Sequence, residues 1–146
     1  MVFVFDENYS YKLVEGLRNL ELGNKHSKPA EIWHILELAK HLKITPKSNI
    51  PNSSFSDEEV IIIAGKQKGI VITQDKDFRN IKHKGHLYKE HNVGVIFFKT
   101  VIDTRGYWGM VTSIINKWYE LKQKAEHASK PFCFFVDHKG IKPNDF

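Results

Sequence analysis

Residues 69–78 read Gly-Ile-Val-Ile-Thr-Gln-Asp-Lys-Asp-Phe and combine a short apolar run with two acids. The β-branched residues 70–72, which lie between a glycine and a polar turn, are typical of a strand buried on both faces. Asp75 and Asp77 come just past the C-terminal end of this strand. Because open α/β sheets bind ligands at the carboxyl ends of their strands, these acids are well placed for chemistry. The alternative is a solvated turn in which each aspartate makes only local hydrogen bonds.

The length and composition predict one domain over residues 1–146, with a loose C-terminal tail from about residue 138. The 41% of hydrophobic and 27% of charged residues are ordinary for a globular protein. A formal net charge of +5 favours the approach of a polyanion, although a solvated basic surface is the more ordinary explanation.

Several features of the sequence predict a cytoplasmic protein with no membrane partner. No run of the sequence approaches the 18 apolar residues that span a bilayer, and residues 1–6 lack the basic and long apolar regions of a signal peptide. The single cysteine, Cys133, lies in the apolar run of residues 132–136, as a buried structural thiol in a reducing compartment would.

The order of the apolar patterns predicts a three-layer α/β fold. Strands are expected at residues 2–5, 70–72, 93–98 and 131–136, the last at an edge because it contains a proline. Helices are expected at about residues 10–22, 29–42, 56–68 and 107–128, with loops at 44–55 and 79–92. Right-handed crossovers between such strands give a mostly parallel central sheet of about four to five strands, flanked by helices. The last helix is expected to face inward with Trp108, Val111, Ile114, Ile115, Trp118 and Leu121.

Three separate places in the sequence bring carboxylates to one predicted edge of the sheet. Asp6 ends the first strand, and Asp75 and Asp77 end the strand at 70–72. The helix that opens at the capping-box residues 56–59 rises about 18 Å, and the strand after it returns over a similar distance. We therefore expect Asp57 to lie near Asp75.

Acids gathered in a partly dry cleft raise each other's pKa or require a cation. Mg²⁺ and Mn²⁺ favour carboxylate and water oxygens, and such a site activates water and stabilises an in-line phosphoryl transition state. Ordinary explanations exist for Asp57, which suits the helix dipole, for Glu58 and Glu59, which suit a cap or surface, and for Glu7, which can point away. Asp6 is the hardest to explain structurally.

Other catalytic patterns are not found in the sequence. His83, His86 and His91 lie in a lysine-rich stretch without a cysteine partner, so a solvated basic loop is favoured over a zinc site. The sequence contains neither a Gly-x-Ser-x-Gly elbow nor a glycine-rich phosphate loop.

Three motifs resemble the PIN-like domain family, in particular its compact group akin to VapC-type toxins. They are Phe-Asp-Glu-Asn at 5–8, Ser-Asp-Glu-Glu at 56–59 and Ile-Thr-Gln-Asp-Lys-Asp-Phe at 72–78. The resemblance implies an Mg²⁺- or Mn²⁺-dependent endoribonuclease, commonly the toxin of a toxin–antitoxin pair, with RNA as substrate and a cognate antitoxin as partner. By position, Asp6 corresponds to the family's first-strand acid. Asp57 corresponds to the acid that opens the helix before the signature strand, and Asp75 with Asp77 corresponds to the signature pair.

The sequence departs from the family pattern in two places. Many PIN domains contribute a further glutamate from an earlier helix, and here Glu31 and Glu37 are available without an identifying motif. The long loop at 44–55 and the stretch around Asn24 leave open whether a strand separates the first two helices.

The leading hypothesis is that Asp6, Asp57 and Asp75 hold Mg²⁺ or Mn²⁺ in a ribonuclease. Asp77 then serves as an outer ligand or orients a metal-bound water, and Lys76 and Arg79 steer phosphate, although solvated roles for these two are as ordinary. The alternative is a catalytically silent PIN-like module that binds RNA or protein. An aspartyl-phosphate enzyme is disfavoured, because the motif at residues 6–8 lacks a second aspartate two residues on. Homodimerisation, the RNA target and the number of metals stay open, as does any further ligand among Glu7, Glu31, Glu37 and Glu58.

Overall fold

The computed structural model describes residues 1–47, 54–75, 81–99 and 106–144. Within these residues six strands form one sheet in the order β2-β1-β3-β4-β5-β6. The strands are β1 Val2–Phe5, β2 Glu31–His34, β3 Ile70–Thr73, β4 Gly94–Phe98, β5 Phe132–Asp137 and β6 Gly140–Pro143. The helices are α1 Tyr11–Leu22, α2 Ile35–His41, α3 Asp57–Lys66, α4 Ile81–Glu90 and α5 Gly106–His127.

The two strands that carry the predicted acids are neighbours. β1 pairs in parallel with β3, and Phe5 lies opposite Ile72. All four residues of β3 are buried, because helices cover both faces of the sheet. The pairing continues one step further, where the Asp6 backbone N–H donates to the Ile72 carbonyl oxygen at 3.1 Å. The carboxyl ends of β1 and β3 therefore lie side by side.

Two hydrophobic cores cover the two faces of the sheet, as the three-layer prediction requires. One packs α1 and α5 against residues such as Phe3 and Phe5, and the other packs α2, α3 and α4 against residues such as Val4 and Val71. The predicted fold class, a mostly parallel α/β sheet, is confirmed. In the part of the chain that the structure describes, the sheet has six strands rather than four or five, because β2 and β6 were not predicted.

The predicted helix over residues 29–42 is wrong in its first half. Glu31–His34 is a strand that pairs in parallel with β1, and only Ile35–His41 is helical. The segment alternates exposed Glu31 with buried Ile32 and half-buried Trp33 with buried His34, which is the period of a strand. His34 then caps α2, with its ring accepting from the Leu36 N–H, so the strand passes directly into the helix.

The basic stretch predicted as a loop at 79–92 contains α4. Its described part packs the fully buried Tyr88 into the core of α2 and α3. Gly85 is buried three residues earlier, so within residues 84–90 the buried face consists of Gly85 and Tyr88. Such a face is too sparse to produce a recognisable helical period, and burial against α3 stabilises the helix instead.

The C-terminal predictions also need correction. β5 is an interior strand, because β6 pairs with it antiparallel and forms the edge in place of a loose tail over residues 140–143. Asp137 closes the turn by accepting from the N–H groups of Lys139 and Gly140. Cys133 is buried, as expected. The loop predicted at 44–55 lies mostly outside the described residues, which omit 48–53.

Helix α5 buries a narrower stripe than predicted. Ile114, Trp118 and Leu121 are buried, whereas Trp108 is 69% exposed and Ile115 is also exposed. Neighbouring positions on a helix are rotated by about 100°, so Ile115 lies on a different face from Ile114. The α5 face with Trp108 and Ile115 borders a cleft against α1 instead of the sheet.

Candidate functional site

Asp6 lies directly after β1 and is only 3% exposed. One carboxylate oxygen accepts from the Asn8 N–H at 3.0 Å, and the other accepts from the Thr73 hydroxyl. The Thr73 Oγ1 in turn accepts from the Asp75 N–H at 2.9 Å. A single hydroxyl therefore links the side chain of the β1 acid to the backbone of the β3 acid.

The pKa of Asp6 is raised from 3.8 to about 6, mainly because burial disfavours its charged form. The hydrogen bonds from Thr73 and Asn8 lower the pKa, and the negative charges of Asp75 and Asp57 raise it. Both other acids thus act electrostatically on Asp6. A cation at this edge of the sheet would relieve the free-energy cost of ionising Asp6.

Asp57 is the first residue of α3, where Ser56 and Glu59 form the predicted capping box. One carboxylate oxygen of Glu59 accepts from the Ser56 N–H, and the other accepts from the Lys47 N–H. Both oxygens of Glu59 are therefore hydrogen-bonded at the start of α3. The carboxylate of Asp57 accepts from the ammonium of Lys84 on α4. Asp57 therefore has a specific charged partner in addition to its favourable place at the helix N-terminus.

Glu7 has a structural partner far along the chain. Its carboxylate accepts from the Phe55 N–H at 2.7 Å, which ties the exit of β1 to the segment entering α3. The bond connects the residue that follows Asp6 to the residue two positions before Asp57. Glu7 is thus engaged in positioning rather than directed at the Asp6 carboxylate.

Of the other candidate glutamates, Glu31 begins β2 opposite Val2 and so lies at the far end of the strands from Asp6. Glu37 accepts from Arg18 at 3.1 Å and completes the capping box of α2. Glu31 and Glu58 are exposed. The predicted residues Lys76, Asp77 and Arg79 lie outside the described residues, so of the signature pair only Asp75 can be placed.

The donor set fits a hard divalent ion. Within the described ranges, no group of three or more histidine, cysteine, aspartate or glutamate side chains is arranged to hold a metal as it stands. Mg²⁺ does not need such a cage, because it keeps several waters and takes one or two carboxylates directly. Asp6 and Asp75, joined through Thr73, supply oxygen donors of this kind at one sheet edge. The raised pKa of the buried Asp6 is also typical of a carboxylate that gains from a cation.

Two residues of the site were not assigned roles from the sequence. Thr73 lies inside the β3 motif, but its bond to Asp6 spans 67 positions and has no local signal. Lys84 was counted only as part of a basic loop, and its contact with Asp57 depends on α4 being a helix.

These features define the chain as an α/β protein whose acids meet at the carboxyl ends of adjacent parallel strands. The family described as PIN like domain matches residues 1–100, which include β1–β4 and α1–α4, and the chain belongs to this family. PIN domains are generally nucleases and generally use divalent metal ions, so membership indicates a nuclease-type function. No match was found among curated proteins or among solved structures. None of the helices in the described ranges is both long enough and apolar enough to cross a membrane.

Proposed function

We propose that this protein is an endoribonuclease that hydrolyses RNA phosphodiester bonds with Mg²⁺ or Mn²⁺ held by Asp6, Asp57 and Asp75. The observation that carries the proposal is the bonding of buried Asp6 to Thr73, which also holds the backbone of Asp75, within the field of Asp57. When bound, the metal would activate a water and stabilise charge in the phosphoryl transition state.

The chain's own residues prepare this site for a substrate. Thr73 bonds the Asp6 side chain and the Asp75 backbone, and Glu7 bonds the Phe55 N–H ahead of α3. We assign Asp77 to orienting a water or to outer-sphere contact, and Lys76 and Arg79 to attracting the RNA phosphates, on the basis of their places in the motif. The net charge of +5 supports RNA as the polyanion.

We further propose that the nuclease is a VapC-type toxin acting in the cytoplasm, inhibited by a cognate antitoxin. An exposed apolar face between α1 and α5 supports a protein partner. It borders a cleft of about 340 Å³ and includes Leu20, Trp108 and Tyr119, exposed by 61%, 69% and 73%. Exposed apolar patches of this kind mark interaction surfaces in soluble proteins. The alternative is that a second copy of the chain binds this face. Light scattering of wild type and of Trp108→Ser distinguishes a homodimer from binding of a different protein.

Nuclease assays with matched variants test the proposal. Asp6→Asn and Asp75→Asn should each abolish cleavage of a single-stranded RNA in Mn²⁺, and EDTA should abolish cleavage by the wild type. Glu126→Gln, which removes an exposed acid on α5, should cleave normally. Undiminished cleavage by both aspartate variants would contradict the proposal.

The second candidate is a catalytically silent module that binds RNA or protein. It is favoured by the ion pair of Asp57 with Lys84, which already supplies a cation to one proposed ligand. A ligand that binds only the folded state raises the melting temperature. Millimolar Mn²⁺ should therefore raise the melting temperature of a nuclease and leave that of a silent module unchanged.

A further inference from the structure

Lys84 occupies an electrostatically unfavourable place in its own helix. It is the fourth residue of α4, whose first turn reads Ile-Lys-His-Lys, and the helix dipole puts partial positive charge at this end. The neighbouring α3 has the opposite pattern, with three acids in its first turn. Because α3 and α4 pack together, the Lys84 charge is compensated from the other helix.

The compensating group is Asp57, one of the proposed metal ligands. The two side chains are 18% and 27% exposed, so this pair is more sheltered from solvent than an ordinary surface ion pair. Burial raises the pKa of Asp6 and of Tyr88, and the charge of Asp57 raises both further. The Lys84 ammonium therefore lies at the rim of the same group of carboxylates that would receive the metal.

We infer that Lys84 is an internal counter-ion that competes with the divalent metal for Asp57; the inference rests on the proposed function. An ammonium bonded to Asp57 occupies an acceptor oxygen and repels a dication that approaches it. Metal binding through Asp57 then requires the ammonium to withdraw. In the metal-free protein, the same contact neutralises one of the acids and stabilises the packing of α3 on α4.

Three variants separate this role from general effects of charge and packing. Lys84→Gln removes the charge and keeps a hydrogen-bond donor, whereas Lys84→Arg keeps the charge. Lys89→Gln removes the same net charge from an exposed position on the same helix. Each variant of the full chain is freed of metal and titrated with Mn²⁺ by calorimetry, and its melting temperature is recorded with and without Mn²⁺.

We expect Lys84→Gln to bind Mn²⁺ roughly tenfold more tightly than wild type, because a dication a few ångströms from an ammonium is repelled by several times the thermal energy. Lys84→Arg and Lys89→Gln should stay within about twofold of wild type. Metal-free Lys84→Gln should melt at a lower temperature than metal-free wild type. Equal or weaker Mn²⁺ binding by Lys84→Gln would overturn the inference and leave Lys84 as a tie between helices.

The outcomes for Lys84 and for the nuclease are distinguishable. If wild type and Lys84→Gln bind Mn²⁺ with equal affinity, only the proposed role of Lys84 is contradicted. Failure of both proteins to bind Mn²⁺ contradicts the inference and the proposed metal dependence together, and binding by the variant alone supports both. If Lys84→Gln does not fold, ¹⁵N NMR of the wild-type lysine ammonium groups decides, since Mg²⁺ should shift the Lys84 Nζ signal and an unshifted signal in a Mg²⁺-bound protein overturns the inference.

Discussion

Thr73 donates its hydroxyl hydrogen to Asp6 and accepts the backbone N–H of Asp75, so one side chain joins the ends of two parallel strands. Its hydroxyl is buried, and both of its partners depend on the register between β1 and β3. The Asp6 side chain and the Asp75 backbone are therefore held together by a single hydroxyl. Preorganisation of this kind lowers the free-energy cost of assembling a charged site.

Replacement of Thr73 by valine should weaken the site while preserving its shape. The pKa of Asp6 should rise further, because the Thr73 bond lowers it, and the Asp75 N–H should lose its acceptor. We expect a loss of about 1–3 kcal/mol in the free energy of unfolding and weaker Mn²⁺ binding by calorimetry. Thr73→Ser retains the hydroxyl and serves as the control. Wild-type Mn²⁺ affinity in Thr73→Val would show that this link does not organise the site.

The metal-free Asp6→Asn variant should be more stable than wild type at pH 7.5. The folded-state pKa of Asp6, about 6, lies above its ordinary 3.8, so its favourable contribution is complete below pH 3.8 and is lost as the pH rises through 6. The cost of ionised Asp6 above pH 7 is about 3 kcal/mol. Urea unfolding in EDTA at pH 4 and 7.5 should show the advantage of the variant growing with pH. An advantage that does not change with pH would contradict the raised pKa.

Replacement of Glu7 should disturb Asp57 indirectly, through the segment that enters α3. Glu7→Ala leaves the Phe55 N–H without its acceptor at the entrance to α3, which should cost about 1–3 kcal/mol in the free energy of unfolding. We also expect weaker Mn²⁺ binding, because the segment that leads into Asp57 loses its hydrogen bond to the exit of β1. Glu7→Gln keeps an acceptor oxygen and should bind Mn²⁺ nearly as wild type does. Similar loss in both variants would assign a direct electrostatic role to the Glu7 charge.

His34 should make the protein sensitive to acid. Its Nδ1 accepts from the Leu36 N–H at 3.2 Å, so the ring proton resides on Nε2 and is donated to the Tyr9 carbonyl at 2.9 Å. Burial lowers its pKa below 6.5, so its stabilising contribution is present above pH 6.5 and is lost as the pH falls through the folded-state pKa.

Urea unfolding between pH 7.5 and 5 measures this dependence, preferably in the Asp6→Asn background, which removes the opposite trend of Asp6. His34→Gln should flatten the loss of stability on acidification, whereas His86→Gln, at an exposed position, should leave it unchanged. An equal slope in His34→Gln and its parent would exclude His34 as the titrating group.

Much of the central sheet was predictable, because three of its strands are continuous apolar runs. β1, β3 and β4 could be read this way, and the capping box located the start of α3. These elements predicted that Asp6 lies near the segment after β3, because the carboxyl ends of parallel strands lie at the same edge of a sheet. β2 escaped prediction because its four residues, two of them buried, also fit a helical stripe that continues into α2.

The sequence by itself determined that β1, β3 and β4 are buried and that Asp6, Asp57 and Asp75 come at the ends of elements, since local composition and capping encode both. Only the tertiary structure decided that Thr73 bonds Asp6, that Glu7 holds the entrance to α3 and that Lys84 pairs with Asp57. The physical reason is that each of these contacts joins residues at least 27 positions apart. Their free energy depends on strand register and helix packing, which no local pattern of residues specifies.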